Sequence, residues 1–258
     1  PEKKQKIIID FSSPNTAKEM HVGHLRSSII GDSLARLFEF MGHDVLRLNH
    51  IGDWGTAFGM LIAYMKKHAP AILSEKETTD LPSLMHMYKQ AKQLFDQDPE
   101  FKKASQLQVV ALQNGEEVSI KAWNIICEIS RRGYNEIYDL LNIKIQERGE
   151  SFFNPMLKNV VSELEEKGLI EISNGAKCLF LEGFQNREGE PLPLMLQKSD
   201  GGYNYDTTDM AAIKHRIQEE KGDRLIYVTD SGQATHFAMI FKAAIKAGYL
   251  DPNKVEVN

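Results

Sequence analysis

The stretch from residue 7 to residue 31, IIIDFSSPNTAKEMHVGHLRSSIIG, constrains this chain more than any other. It opens with Ile7-Ile8-Ile9, a β-branched run suited to a strand buried on both faces. Ser12-Ser13-Pro14-Asn15 then break the run as turn formers. A helical pattern follows from His21-Val22-Gly23-His24, with Leu25, Ile29, Leu34, Leu37, Phe38 and Met41 recurring at helical spacing. Gly42 reads as the left-handed cap of that helix, and Val45-Leu46-Arg47-Leu48 as the next strand. A strand, a crossover helix and a second strand build a parallel sheet.

The chemistry of this stretch sits where loop becomes helix. His21 and His24 are three apart, neighbours on a helix face, in a first turn whose backbone N–H groups have no intrahelical acceptor. Those donors, the positive end of the helix dipole and two imidazoles together make a site for phosphate oxygens. Gly23, with no side chain, lets a flat ring such as adenine lie against the backbone. The competing reading is that the two histidines only cap a helix or satisfy a core. For an H-x-G-H pattern alone the two readings weigh evenly; the strand before it and the helix after it favour the phosphate site.

Composition bounds the remaining possibilities. The chain has 258 residues, 42% hydrophobic and 26% charged, enough for one large domain or a domain carrying an insertion. No apolar run approaches the roughly 20 residues that span a bilayer, so no membrane partner is expected. Cys127 and Cys178 form no C-x-x-C pair, which argues against a zinc site or a disulfide framework and suits a reducing, cytoplasmic compartment. The net charge of −5 does not announce a nucleic-acid partner, because a basic surface is the usual electrostatic footprint. Residues 69–141 carry continuous helical stripes, with Asp98-Pro99 and Asn114-Gly115 as breakers. Residues 142–195 change character: Asn174-Gly175 between two β-rich runs signals a hairpin. Further on, Asp209-Met210-Ala211-Ala212-Ile213 starts a helix, with Thr207 or Thr208 placed to cap it. Leu225-Ile226-Tyr227-Val228-Thr229 reads as another buried strand, with a helix from Gln233.

HVGH resembles the "HIGH" element of class I aminoacyl-tRNA synthetases. The surrounding DFSSPNTAKEMHVGHLRSSIIGD and the later LNHIGDWGTAFGMLIAY resemble arginyl-tRNA synthetases in particular, and the similarity runs, with gaps, along nearly the whole chain. The resemblance implies an α/β fold: a Rossmann-type nucleotide-binding domain with a parallel sheet, split by a largely helical insertion. The first half would be 1–68, the insertion and connective region 69–195, and the second half 196–258. It implies ATP-dependent activation of L-arginine to arginyl-adenylate and transfer to tRNA(Arg), in the cytoplasm, by a monomer. ATP would enter with Mg²⁺ carried on its triphosphate, and no protein-bound metal is expected.

The same resemblance assigns residues. His21 and His24 would be catalytic and, with Gly23, bind ATP. Tyr205-Asp206-Thr207-Thr208-Asp209 matches the family's Y-x-T-x-D, whose tyrosine and aspartate hold the substrate guanidinium. The physical chemistry agrees, since a carboxylate accepts a bidentate charge-assisted pair and a ring bounds the flat face. The other reading of Asp209, an acid interacting with a helix dipole, stays open without the flanking match. Gln233 and His236 fit the family's Q-x-x-H; Gln233 would line the arginine pocket, and His236 reads better as a packed helix residue. Asp10, Ser13 and Asn15 fall on arginine-holding positions, Asp10 toward the cation and Asn15 toward the amino or carboxylate end. Position 57, usually glutamine in the family, is Ala57.

The second phosphate-binding element of the class, K-M-S-K-S or a degenerate form, is not found before Asn258. The N-terminal and anticodon-binding domains typical of arginyl enzymes are not found either. An excised, feebly active fragment of the catalytic domain is therefore expected. Two rivals remain at this level: a small nucleotidylyltransferase, which explains neither Y-x-T-x-D nor the insertion, and a synthetase-like protein that binds without catalysing.

Overall fold

The computed structural model describes residues 3–258. In order along the chain come β1 (Lys6–Asp10), α1 (Val22–Phe40), β2 (Asp44–Asn49), α2 (Thr56–His68), the short α3 (Pro70–Leu73), α4 (Leu81–Gln97), α5 (Pro99–Gln113) and α6 (Glu117–Leu140). There follow β3 (Gln146–Glu147), α7 (Glu150–Glu166), β4 (Glu171–Ser173), β5 (Ala176–Gln185), β6 (Pro191–Gln197), α8 (Tyr205–Gln218), β7 (Arg224–Tyr227), α9 (Ala234–Lys246) and β8 (Glu256–Val257). By contacts these divide into two bodies. A sheet body takes the chain up to Ser12, Leu25–His50 and Ile145–Asn258, and a helical body takes Ser13–His24 and Ile51–Lys144.

The sheet body holds a five-stranded sheet in the order β3-β2-β1-β7-β8, every pair parallel. Its central strand is β1, with Asp10 opposite Leu48 on one side and Tyr227 on the other. Ile7, Ile8 and Ile9 are almost wholly buried, as a strand covered on both faces requires. A separate antiparallel sheet, β4-β5-β6, is joined to it through one apolar core that includes Ile8, Leu48, Phe153, Leu179, Leu196 and Ile240. The turn from β4 to β5 places Asn174 and Gly175 both at positive φ, the geometry an Asn-Gly hairpin favours.

Helix α1 packs differently from its sequence pattern. Within the sheet body its buried residues are Ser28, Gly31, Asp32 and Ala35, whereas Ile29, Ile30, Leu37 and Phe40 of the same helix are exposed. Small residues win because the helix lies close over the end of β1: a side-chain carbon at Gly31 would sit 2.2 Å from the Phe11 ring. The apolar stripe thus identified the helix but not its buried face.

The helical body is α2 to α6 around a core that includes Phe58, Ile62, Met65, Leu84, Leu112 and Ile126. Its helices start where the sequence carries caps. Asp80 Oδ1 accepts from the N–H of Ser83, and Asp98 Oδ1 from that of Glu100 beside Pro99. The sequence reading closed the first half near His68, but by contact α2 belongs to this body. It approaches α5 so closely that a side-chain carbon at Gly59 would meet the Ser105 carbonyl at 2.4 Å. The hairpin region, read as part of the insertion, groups with the sheet body instead, through α7 and the shared core.

Candidate active site

The expected site residues fall in both bodies: Ser13, Asn15, His21, Gly23 and His24 in the helical one, Asp10, Tyr205, Asp209 and Gln233 in the sheet one.

In the helical body the loop before α1 is pinned along its length. The Thr16 N–H donates to the Gly52 carbonyl at 3.1 Å, and the Gly52 N–H to the Pro14 carbonyl at 3.1 Å. The Tyr134 hydroxyl donates to the Asn15 carbonyl at 2.7 Å, and the Ala17 N–H to Ser130 Oγ at 2.9 Å. A side-chain carbon at Gly52 would lie 2.1 Å from Asn15 Oδ1, so the Asn15 amide keeps its place only because position 52 is glycine. That is a function for the G-D-W-G loop that the sequence did not reveal. Ser13 stands at φ +47°, an uncommon left-handed conformation that costs about 1 kcal/mol or more and persists where surroundings over-determine it. Asn15, Gly52, Trp54, Ala57 and Tyr88 line a cavity of about 160 Å³, so the position where the family has glutamine faces open space.

The two imidazoles at the start of α1 are held by main-chain donors. The His21 N–H donates to His24 Nδ1 at 3.1 Å, and the Gly23 N–H to His21 Nδ1 at 3.1 Å. A ring nitrogen that accepts carries no proton, so in each neutral ring the proton sits on Nε2. The rings stack with centroids 3.9 Å apart. Burial, then the neighbouring His21, lowers the pKa of His24 below the ordinary imidazole value, which keeps it neutral at pH 7. Capping and phosphate binding are therefore not rivals here, because the capping bonds fix which nitrogen donates. A side-chain carbon at Gly23 would come within 2.9 Å of the His21 ring.

In the sheet body Asp10 ends the central strand, where parallel sheets place their ligands. Its carboxylate does not await a cation. Asp10 Oδ2 pairs with Arg216 Nη2 of α8 at 2.7 Å, both side chains under one-tenth exposed, and Arg216 lies over the Tyr227 ring. The chain's own guanidinium thus lies on one oxygen of the carboxylate expected to meet the substrate's charge.

Helix α8 starts earlier than the sequence suggested. Asn204, not Thr207 or Thr208, is the cap, its Oδ1 accepting from the Tyr205 N–H at 2.9 Å. Both threonines are buried inside the first turns, and the Thr207 hydroxyl donates to the Leu196 carbonyl. Tyr205 and Asp209 consequently stand one turn apart on one helix rather than across a junction. Asp209 is flanked by two imidazoles: His236 Nε2 of α9 lies 2.6 Å from Oδ2, and His50 Nε2 lies 3.5 Å from Oδ1. His236 Nδ1 in turn lies 3.4 Å from Asp206 Oδ1, and Asp206 Oδ2 accepts from the Met195 N–H at 2.7 Å. The Tyr205 ring lies 5.1 Å from that of His236. Gln233 ends a single 3-10 turn just before α9 and is exposed, one turn ahead of His236. Sequence reasoning ranked His236 as packing and did not single out Asp206, His50, Gly52 or Arg216. A signal for His236 existed in its spacing from Gln233, but its carboxylate partners lie 27 or more residues away.

The comparisons with known proteins agree with one another. The family model for the catalytic domain of class I (R) tRNA synthetases matches residues 1–258. The arginine–tRNA ligase of Protochlamydia amoebophila is 70% identical over 100% of this chain and 44% of its own length. That of a Picosynechococcus strain is 60% identical, covering 99% of this chain and 44% of its own. The crystal structure of the Plasmodium falciparum arginyl-tRNA synthetase matches with a TM-score of 0.85 at 42% identity, over 99% of this chain and 42% of that one. The Thermus thermophilus arginyl-tRNA synthetase matches at 0.68 and 22% identity, over 99% of this chain and 48% of that one, a likeness of fold. The chain spans under half the length of these relatives.

Proposed function

The chain belongs to the catalytic-domain family of the class I (R) tRNA synthetases, and from that premise we propose that the protein it forms part of is an arginine–tRNA ligase. The arginine carboxylate attacks the α-phosphorus of ATP in line, pyrophosphate leaves, and arginyl-adenylate results. The 2′-hydroxyl of the terminal ribose of tRNA(Arg) then attacks the arginyl carbonyl, the ester forms, the bond from that carbonyl to the phosphate breaks, and AMP leaves. No side chain becomes covalently attached.

Positioning and charge stabilisation carry the chemistry. His21 and His24 donate from Nε2 to phosphate oxygens as negative charge builds, beside the start of α1, and Gly23 leaves room for the adenine ring. Asp209 takes the guanidinium, with the Tyr205 ring against its flat face. Gln233, Asn15 and Ser13 hold the amino and carboxylate ends, and Asp10, committed to Arg216, sets the charge at the end of β1. Mg²⁺ arrives on the triphosphate and supplies further phosphate-charge neutralisation. The enzyme works as a cytoplasmic monomer, with residues 1–68 and 196–258 as the two halves of its nucleotide fold and 69–195 as insertion.

The observation that supports this reading best is a main-chain N–H facing Nδ1 of each of two adjacent imidazoles at a helix start, which leaves Nε2 of both to donate. Removing one such donor costs about 10²–10³ in rate, roughly 3–4 kcal/mol. The test is arginine-dependent pyrophosphate exchange by the full-length protein with tRNA(Arg), beside arginine binding. The His21→Ala, His24→Ala double variant should bind arginine within about twofold of wild type while exchange collapses. Equal loss of both would overturn the assigned roles.

A further inference from the structure

We propose that arginine reaches Asp209 by displacing a proton held on His236, so that substrate binding releases a proton and strengthens as pH rises. The inference rests on the assignment of Asp209 to the substrate guanidinium. It starts from a row of side chains, Asp206, His236, Asp209 and His50, in which both nitrogens of His236 face carboxylate oxygens, at 3.4 and 2.6 Å. A neutral imidazole has one N–H and can satisfy one of these acceptors; the doubly protonated ring satisfies both. Asp206 cannot swing away, since it is buried and its second oxygen accepts from the Met195 N–H.

Free of substrate, Asp209 therefore already has a cationic partner on Oδ2 and an imidazole facing Oδ1. A guanidinium that claims the carboxylate as a bidentate pair must take Oδ2, which would leave two cations side by side in a site that is mostly buried. Loss of the His236 proton to solvent removes that conflict. The charge balances: one positive charge enters on arginine and one leaves as a proton, so the row keeps its single net negative charge.

Of the ionisable groups around His236, only Asp206, pushed up to about 6 chiefly by burial, can also hold a proton near the acid end of this range, and the His236→Gln variant separates it from the imidazole. From α8 these are Asp206, Asp209 and Tyr205; His50 stands beyond Asp209, Cys178 on β5 near Asp206, and Tyr227 on β7 near Asp209. Burial, then Asp206 and Asp209, pushes the Tyr205 hydroxyl up, and burial, then Asp206, does the same to the Cys178 thiol. Tyr227 is pushed up to about 12, chiefly by burial. For His236 burial acts to lower the pKa, but the Asp209 hydrogen bond and the two carboxylate charges outweigh it, and the net direction is upward. Among the described residues no group of His, Cys, Asp and Glu has the arrangement of a metal site, so the row is read as a proton holder.

The experiment is titration calorimetry of the full-length protein with L-arginine between pH 6 and 8, in phosphate and in Tris, whose ionisation heats differ widely. The expected result is buffer-dependent heat showing up to one proton released per arginine at the acid end, declining as pH rises. Affinity should increase with pH by at most about tenfold per unit. His236→Gln should bind arginine with affinity flat across the range and no proton release. Arginine binding that needs Asp209 yet shows no buffer-dependent heat would overturn this inference and leave the arginine assignment standing. No arginine binding at any pH would overturn the assignment itself, and the inference with it. Proton release that persists in His236→Gln would place the proton elsewhere and overturn the inference. Where His236→Gln does not fold, His236→Asn carries the same comparison, and buffer-independent wild-type heats overturn the inference on their own.

Discussion

Histidines at two places in this protein are held in opposite ways. At the start of α1, Nδ1 of His21 and Nδ1 of His24 each accept from a main-chain N–H, which leaves Nε2 as the donor, and burial lowers the His24 pKa. Beside α8, His236 has a carboxylate oxygen facing each ring nitrogen, and these carboxylates push its pKa up against the opposing effect of burial. The residue type is the same and the partner sets the state: a donor beside one ring nitrogen excludes a proton there, and a carboxylate beside it attracts one. The first arrangement suits a group that must donate to phosphate while staying neutral. The second suits a group that holds a proton until a better cation arrives.

The largest effect is expected at a second buried carboxylate pair of the same body, where the partner is a permanent cation. Arg216 is 1% exposed and paired with Asp10 at 2.7 Å. Arg216→Met should leave Asp10 as an uncompensated buried charge and cost about 3–5 kcal/mol of stability, read by urea denaturation. Adding Asp10→Asn should recover part of that loss, because the unpaired charge disappears. A loss below about 1 kcal/mol in the single variant would mean that Asp10 finds water or another donor.

The sequence made some of this plain and hid the rest for physical reasons. The strand, turn and helix of residues 7–31 were legible because each is a local preference: β-branched residues, turn formers, and a glycine that takes positive φ at position 42. The breakers at Asp98-Pro99 and Asn114-Gly115 and the Asn174-Gly175 hairpin were legible for the same reason. Helix α7 was not, since Pro155, its sixth residue, interrupts the pattern and removes one helix hydrogen bond; the burial of Phe153, Leu157 and Val160 holds the helix together across it. The start of α8 was misjudged because Asn204 and two threonines all cap well, and only the bond from the Tyr205 N–H decides among them. Contacts between distant residues left no local trace. Neither Asp10 with Arg216 nor His236 with Asp209 and Asp206 follows from spacing, and the family pattern drew attention to single positions rather than to their partners.

A smaller perturbation tests the main-chain-held pair. Gly23→Ala puts a carbon within 2.9 Å of His21 Cε1 and 3.0 Å of Nδ1, so the ring must turn away from the Gly23 N–H. Alanine is the better helix former by about 1 kcal/mol, so thermal stability should hold or rise slightly. Adenylate formation should nevertheless fall by about tenfold to a hundredfold, a part of what one phosphate donor supplies. A fall in activity matched by a fall in melting temperature would point to packing instead of ring placement.

The finest test reads the two protonation states directly. The His24 pKa is lowered, so its neutral form is the one the fold prefers; it costs nothing above the unfolded value of about 6.5 and destabilises increasingly as pH falls below it. The His236 pKa is raised, so its charged form stabilises; that contribution is full below about 6.5 and is lost as pH climbs through the higher folded value. The neighbouring Asp206, pushed up to about 6 chiefly by burial, adds a penalty that grows from pH 4 to 6 and is full beyond it. Removing each imidazole should therefore flatten a different limb of the stability curve. His24→Gln should relieve the acid side, and His236→Gln should remove the decline above neutrality, each by about 1 kcal/mol or less. Ring-proton NMR should place the two titrations on opposite sides of 6.5. Coincident titrations would mean that the main-chain donors and the carboxylates do not set these states, and the contrast between the two places would fall.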